Sequence, residues 1–176
     1  MRKLPIEEIG RLSAEEFAKT EKLPLIVVLD DIRSHHNTGA IFRTMDAFAG
    51  EAVYLCGITG TPPHRDIHKT ALGATETVNW KYFNSALEAV EQLRQENYKI
   101  IALEIAEGSL DIQDLEICKT EKIALVLGNE VYGVDQKILD ICDLCIEIPQ
   151  YGTKHSLNVS VSGGIAIWEI CKRMLA

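Results

Sequence analysis

The chain has 176 residues, 47% of them hydrophobic and 25% charged, which favours one domain large enough to bury a core without disulfides or metals. No apolar run approaches the ~20 residues of a membrane span, and the opening "MRKLPIEEIGRLSAEEF" does not read as a signal peptide, so a cytoplasmic protein without membrane contact is expected. The formal charge of −8 argues against nonspecific nucleic-acid binding, but it is uneven: residues 1–81 hold ten Lys/Arg against eleven Asp/Glu, net −1, and residues 82–176 hold eight against fifteen, net −7.

In chain order, "IEEIGRLSAEEFAKTEK" predicts an amphipathic helix with Ser13 and Glu16 spaced as a capping box. "PLIVVLDD" predicts a buried strand, and "NTGAIFRTMDAF" a helix starting at Asn37 or Thr38. "EAVYLCG" reads as a strand ended by the Gly/Pro loop "GITGTPPHRD", and "TVNWKYF" as another strand. "SALEAVEQLRQEN" predicts a helix capped by Ser85. "YKIIALEI" and "KIALVLG" read as buried strands, "DQKILDIC" as a helix, "CIEIP" as a strand and "GGIAIWEICKRML" as the last helix. In "KHSLNVSVS", Leu157, Val159 and Val161 alternate with small polar residues, the period of a half-buried strand. Alternating strands and helices without repeats or linkers predict one α/β domain with a mostly parallel sheet flanked by helices. Ligands then bind beyond the carboxyl ends of the strands.

Five cysteines without a secretion signal read as reduced thiols. Cys142 and Cys145 form a C-x-x-C, but no second ligand pair has zinc spacing, and the pair reads as two buried small hydrophobes. The adjacent His35 and His36 point different ways and lack a carboxylate at helical ligand spacing, so no metal site is expected. Neither a dinucleotide-type glycine fingerprint nor a P-loop is present, which argues against a nucleotide-binding enzyme of the NTPase or phosphatase kind.

Three stretches fall at predicted strand ends: "DDIRSHHNTG", "GNEVYG" and "PQYGTKHSLN". Gly128, directly after a strand, lets a ligand lie against the backbone, although a strand followed by "GNE" taken alone reads first as a structural turn. Arg33 and Arg43 can both reach an anion, Arg43 lying about one and a half turns into its helix. "HNTGAIFRT", "VLGNEVYGVD" and "IPQYGTKHSLNVSVS" together resemble, in order and separation, the three motifs of the TrmH (SpoU) family of the SPOUT class. The resemblance runs from about Leu25 to the C-terminus. It implies a catalytic core over residues 23–176, preceded by a helical extension over residues 1–22. It also implies a C-terminal trefoil knot, a departure from the usual rarity of knots. In that case "YGTKHSLN" is a ligand-holding loop in the knot and "VSVSGGIAIWEI" carries on into the last helix in place of a strand, with Ser160, Ser162, Gly163 and Gly164 letting backbones pass closely in the crossing.

The same resemblance implies methyl transfer from S-adenosylmethionine to a ribose 2′-hydroxyl of tRNA or rRNA, tRNA being favoured by the wording of residues 148–169. It assigns Gly128, Ile148, Ser156 and Leu157 to the cofactor, with Leu103 and Glu104 as a further wall. Arg43 matches the catalytic arginine, and Asn37, Glu130, Ser156 and Asn158 match the other motif positions. Asn37 and Asn158 are expected to orient Arg43 or the ribose, and Glu130 to pair with Arg43 or hold the loops. The resemblance implies a homodimer, with Phe48, Ile165, Ile167 and Trp168 either at its interface or filling the monomer core. RNA contact is expected from a local patch drawn from Arg2, Lys3, Arg11, Arg33, Arg65, Lys69 and Lys154. The alternative is a catalytically silent RNA-binding or assembly factor of the same fold, which the intact motif set argues against.

Overall fold

A computed structural model describes residues 1–5 and 8–176. Among the described residues seven strands form one sheet in the order β3-β2-β1-β6-β4-β7-β5: β1 Leu23–Asp30, β2 Gly50–Cys56, β3 Asn79–Phe83, β4 Lys99–Leu103, β5 Leu110–Asp111, β6 Ile123–Leu127 and β7 Leu144–Glu147. Every pairing is parallel, so the sheet is wholly rather than mostly parallel. The helices are α1 Ala14–Lys19, α2 His35–Ala47, α3 Arg65–Ala71, α4 Ala74–Thr77, α5 Ala86–Gln95, α6 Gln136–Leu139 and α7 Val159–Leu175.

The central strands are apolar on both faces because both are covered. Alternate side chains of β1 divide between two cores: Leu25, Val27 and Leu29 join one, Ile26 and Val28 the other. On the first face α2 contributes Ile41, Phe42 and Met45, and α7 contributes Ala166, Ile167, Ile170 and Met174. On the second lie Ala89, Val90 and Leu93 of α5 and Ile138 of α6. Burying one such large side chain stabilises by about 1.5–3 kcal/mol. Gly163 lets α7 come close, since a Cβ there would lie 2.7 Å from a methyl of Leu127 and 2.8 Å from one of Ile41.

Several expectations change. The helix expected over residues 6–22 shortens to Ala14–Lys19, with Ile6 and Glu7 outside the described residues; its Ser13–Glu16 capping box is present. α2 starts at His35 rather than at Asn37 or Thr38, because Ser34 caps it by accepting the Asn37 N–H. The alternating "VSVS" is the first turn of α7, not a strand: Asn158 Oδ1 accepts the N–H groups of Ser160 and Val161 and starts the helix there. Ile167 is fully buried in the core and is not an interface residue, and a Cβ on Gly164 would meet nothing within 4 Å. No helix among the described residues is long and apolar enough to cross a membrane.

Candidate functional site

β6, β4 and β7 are neighbours in the sheet, so their carboxyl ends open onto the same space. There lies a cavity of about 750 Å³, lined by Leu103 and Glu104 after β4, Gly128 and Glu130 after β6, Ile148 after β7, and Ser156, Leu157 and Asn158 before α7. All six residues assigned from sequence to the cofactor line this one cavity. The volume lies within the range of small-molecule sites, about 300–1,000 Å³.

The loop after β6 is shaped by its own backbone and by two side chains. Asn129 and Gly133 exchange both backbone hydrogen bonds, at 3.0 and 2.9 Å. Asn129 Oδ1 accepts from the N–H groups of Val131 and Tyr132, and its Nδ2 donates to the Asp31 carbonyl at 2.6 Å. Glu104 Oε2 accepts from the Val134 N–H at 3.0 Å. Glu104 therefore fixes the loop as well as forming a wall. A Cβ on Gly128 would lie 2.2 Å from both the Gly133 carbonyl carbon and the Val134 nitrogen. The space on the Cβ side of Gly128 is thus filled by the chain's own backbone, as in a structural turn, while Gly128 still lines the cavity.

A second set of bonds joins the three motifs. The Glu130 carboxylate accepts from the N–H groups of Arg33 and Ser34, at 2.9 and 3.0 Å, and from Asn37 Nδ2 at 2.9 Å. Asn37 Oδ1 in turn accepts from Asn158 Nδ2 at 3.2 Å. Glu130 thus fastens the loop after β6 to the start of α2, and Asn37 fastens α2 to the start of α7. Burial pushes the Glu130 carboxyl up, but the Arg33, Asn37 and Ser34 donors outweigh it and hold the group below its ordinary range. In the buried Asp30, burial wins: its carboxyl is raised despite accepting the Asp135 N–H.

Arg43 is apart from this network. It is exposed, makes no side-chain hydrogen bond among the described residues and does not line the cavity. Of the two roles expected of Glu130, its bonds match the holding of the loops and not a pair with Arg43, and Asn37 and Asn158 bond each other rather than Arg43. Arg33, Arg65, Lys69 and Lys154 are all exposed, whereas Arg2 is held by Glu8 at 2.6 Å. Sequence reasoning passed over Asn129, whose signal was an Asn directly after a strand-ending glycine. It also passed over Gln150 and His155, which line the cavity. The side chains of Gln150, His155 and Ser156 make no hydrogen bond among the described residues, leaving polar groups for a ligand beside the apolar Leu103, Ile148 and Leu157. That combination fits a molecule with a flat ring at one end and a polar, charged tail, as S-adenosylmethionine has. Burial raises the thiols of Cys142 and Cys145, the latter to about 11, which makes neither a ready thiolate.

A model of the SpoU rRNA Methylase family matches residues 24–168. The 23S rRNA (guanosine-2′-O-)-methyltransferase RlmB of Vibrio vulnificus is 29% identical over 172 residues, 98% of this chain and 68% of that protein. The same-named protein of Neisseria meningitidis serogroup B is 33% identical over 147 residues, 83% of this chain and 57% of that one. The chain thus spans well over half, but not all, of these relatives. Among solved structures, a TrmH/SpoU tRNA modifying enzyme of A. aeolicus aligns with a TM-score of 0.80 at 28% identity, covering 91% of this chain and 80% of that one.

Proposed function

The chain belongs to the SpoU rRNA methylase family, and from that premise we propose that it is an S-adenosylmethionine-dependent methyltransferase acting on a ribose 2′-hydroxyl of RNA. The observation that carries the reading is the bond series Glu130–Asn37–Asn158, which gathers the three motifs at the rim of a cavity lined by every expected cofactor residue. S-adenosylmethionine, when bound, supplies a methyl group on a sulfonium and so an electrophile that needs no metal.

The chain's own residues do the rest. Leu103, Ile148 and Leu157 cover the flat part of the cofactor, while Gly128, Glu104 and Ser156 present backbone and polar groups at fixed strand ends, set before the ligand arrives. The Arg43 guanidinium stabilises the negative charge that develops on the 2′-oxygen as its proton passes to solvent water, and it grips the adjacent phosphate. The site is completed by Arg43 of a second copy in a homodimer, a reading supported by the place of Arg43 outside its own chain's cavity lining. The exposed Ile165 and Trp168 of α7, the latter packed on Phe48, supply the apolar contact. The segment from β7 to α7 forms the trefoil knot, an assignment supported by the tie of Asn158 to α2. Arg33, Arg65, Lys69 and Lys154 meet the RNA, with tRNA ahead of rRNA.

The test is transfer of labelled methyl to tRNA and rRNA transcripts in competition, with the product mapped for 2′-O-methyl nucleotides and EDTA present throughout. Transfer to neither RNA, with S-adenosylmethionine bound, would leave the chain a silent RNA-binding factor. Transfer to rRNA alone would overturn the tRNA preference only.

A further inference from the structure

A second cavity, of about 480 Å³, lies between α3, α4 and the start of β3, and none of its lining residues is shared with the first. Pro62, Pro63 and Trp80 are among its walls, and Arg65, His68 and Glu76 bring polar groups to it. Trp80 stands on the edge strand of the sheet and is 36% exposed. The side chains of Arg65, His68 and Glu76 are exposed and make no hydrogen bond among the described residues. A partly exposed indole thus shares this cavity with a cation and a carboxylate that make no hydrogen bond among the described residues. Aromatic side chains beside water-exposed arginine are how proteins hold bases that have left the stack.

The position of this cavity ties it to the proposed reaction. α3 and α4 pack on α2: Gly39 lies against α3, where a Cβ would meet the Ile67 carbonyl oxygen at 2.4 Å, and Asp46 accepts from the Thr77 hydroxyl of α4 at 2.5 Å. Arg43 falls between these two contacts, four residues after one and three before the other, and so lies on the same side of α2. The second cavity therefore belongs to the helical layer that carries the proposed catalytic arginine.

We infer that this cavity is a subsite for one unpaired base of the RNA substrate, a guanine by preference, distinct from the nucleotide that is methylated. The inference rests on the RNA methyltransferase reading. The indole of Trp80 stacks on the base, the prolines close the opposite wall, and Arg65 meets the flanking phosphate. Glu76 sets the preference, because a carboxylate has two acceptor oxygens and guanine presents two adjacent N–H donors on its pairing edge, whereas uracil presents one.

The probes are labelled single-stranded hexamers of guanosine-containing and all-uridine sequence, followed by anisotropy, with indole fluorescence read in parallel. The guanosine oligomer should bind more tightly and quench the indole signal, and the quench should vanish in Trp80→Phe. Trp80→Ala should weaken binding by roughly tenfold, the scale of one lost base–aromatic stack, while Trp80→Phe retains most of the affinity. Glu76→Gln should abolish the preference between the two oligomers. Unchanged affinity in a folded Trp80→Ala overturns the subsite; if that variant unfolds, an unchanged base preference in Glu76→Gln does so instead. Methyl transfer to RNA is scored separately. Its absence, with the oligomer results intact, counts against the methyltransferase reading. Its presence, with Trp80→Ala binding as before, counts against the subsite alone.

Discussion

Asn37 donates its side-chain N–H to the Glu130 carboxylate at 2.9 Å, across 93 positions of sequence. Asn37 is among the few buried polar residues, at 8% exposure, and its amide is used on both sides: the nitrogen toward Glu130, the oxygen toward Asn158. A buried amide satisfied this way holds its rotamer and aligns the loops it joins.

The first prediction follows from the charge of Glu130. Its folded pKa is lowered, so it contributes stability that is fully present above the unfolded value, about 4.3, and is lost as pH falls through the lower folded value. Glu130→Gln keeps the shape but accepts fewer of the three donors. At neutral pH it should cost about 1–2 kcal/mol, the scale of hydrogen bonds to a charged group with partial solvent access. Melting curves from pH 7 to 3 should show a shallower acid decline for the variant than for the parent. Parallel declines would mean that the carboxylate adds nothing to folding.

The second concerns Gly128. A methyl group there meets the backbone of Gly133 and Val134 at 2.2 Å, and backbone cannot swing aside as a side chain can. Gly128→Ala should force the Asn129–Gly133 loop outward, cost about 1–3 kcal/mol and abolish S-adenosylmethionine binding in calorimetry. A variant that binds as the parent does would show that the loop relaxes freely and that the cavity does not depend on it.

β1 and β6 were legible as buried strands because both faces are covered and both runs are continuously apolar. What could not be read was strand order. β6, β4 and β7 are adjacent in space but not in that order in the chain, and the first cavity exists only because of that adjacency. The start of α7 was misread for a local reason: Val159 and Val161 fit a strand period over so short a window, and the cap at Asn158 decides the matter through bonds that spacing does not reveal. The start of α2 shifted by two or three residues, from Asn37 or Thr38 to His35, for the same reason, with Ser34 as cap. β5, at two residues, is too short to carry a pattern. The motif residues were legible only through resemblance. Their partners were legible only as alternatives: Glu130 was expected to pair with Arg43 or to hold the loops, and its bonds to Arg33, Ser34 and Asn37 are of the second kind.

The third prediction addresses assembly. Ile165 and Trp168 on α7 are 40% and 53% exposed, a cost in water unless a partner covers them. Ile165→Glu keeps a helix-compatible side chain and places a charge in the proposed contact. Light scattering should show a dimer for the parent and a monomer for the variant, with the circular dichroism unchanged and methyl transfer lost. A parent that is monomeric and fully active would remove the dimer from the mechanism.

The last prediction separates catalysis from binding at Arg43. Its side chain is exposed and makes no hydrogen bond among the described residues, so Arg43→Ala should change folding stability by no more than about 0.5 kcal/mol. Cofactor affinity should stay the same, because Arg43 does not line the cofactor cavity. If the guanidinium acts on charge that appears only as the 2′-oxygen attacks, its effect belongs to the transition state. The single-turnover rate should then fall by roughly a hundredfold or more, the scale of one lost, positioned electrostatic group. RNA affinity should fall only by the share of about one phosphate contact. Arg43→Lys is the sharper probe, since it keeps the charge and loses the planar fork of donors. A rate near that of alanine assigns the role to geometry, and recovery toward the parent assigns it to charge. A parental single-turnover rate in Arg43→Ala would place the reacting ribose away from α2 altogether.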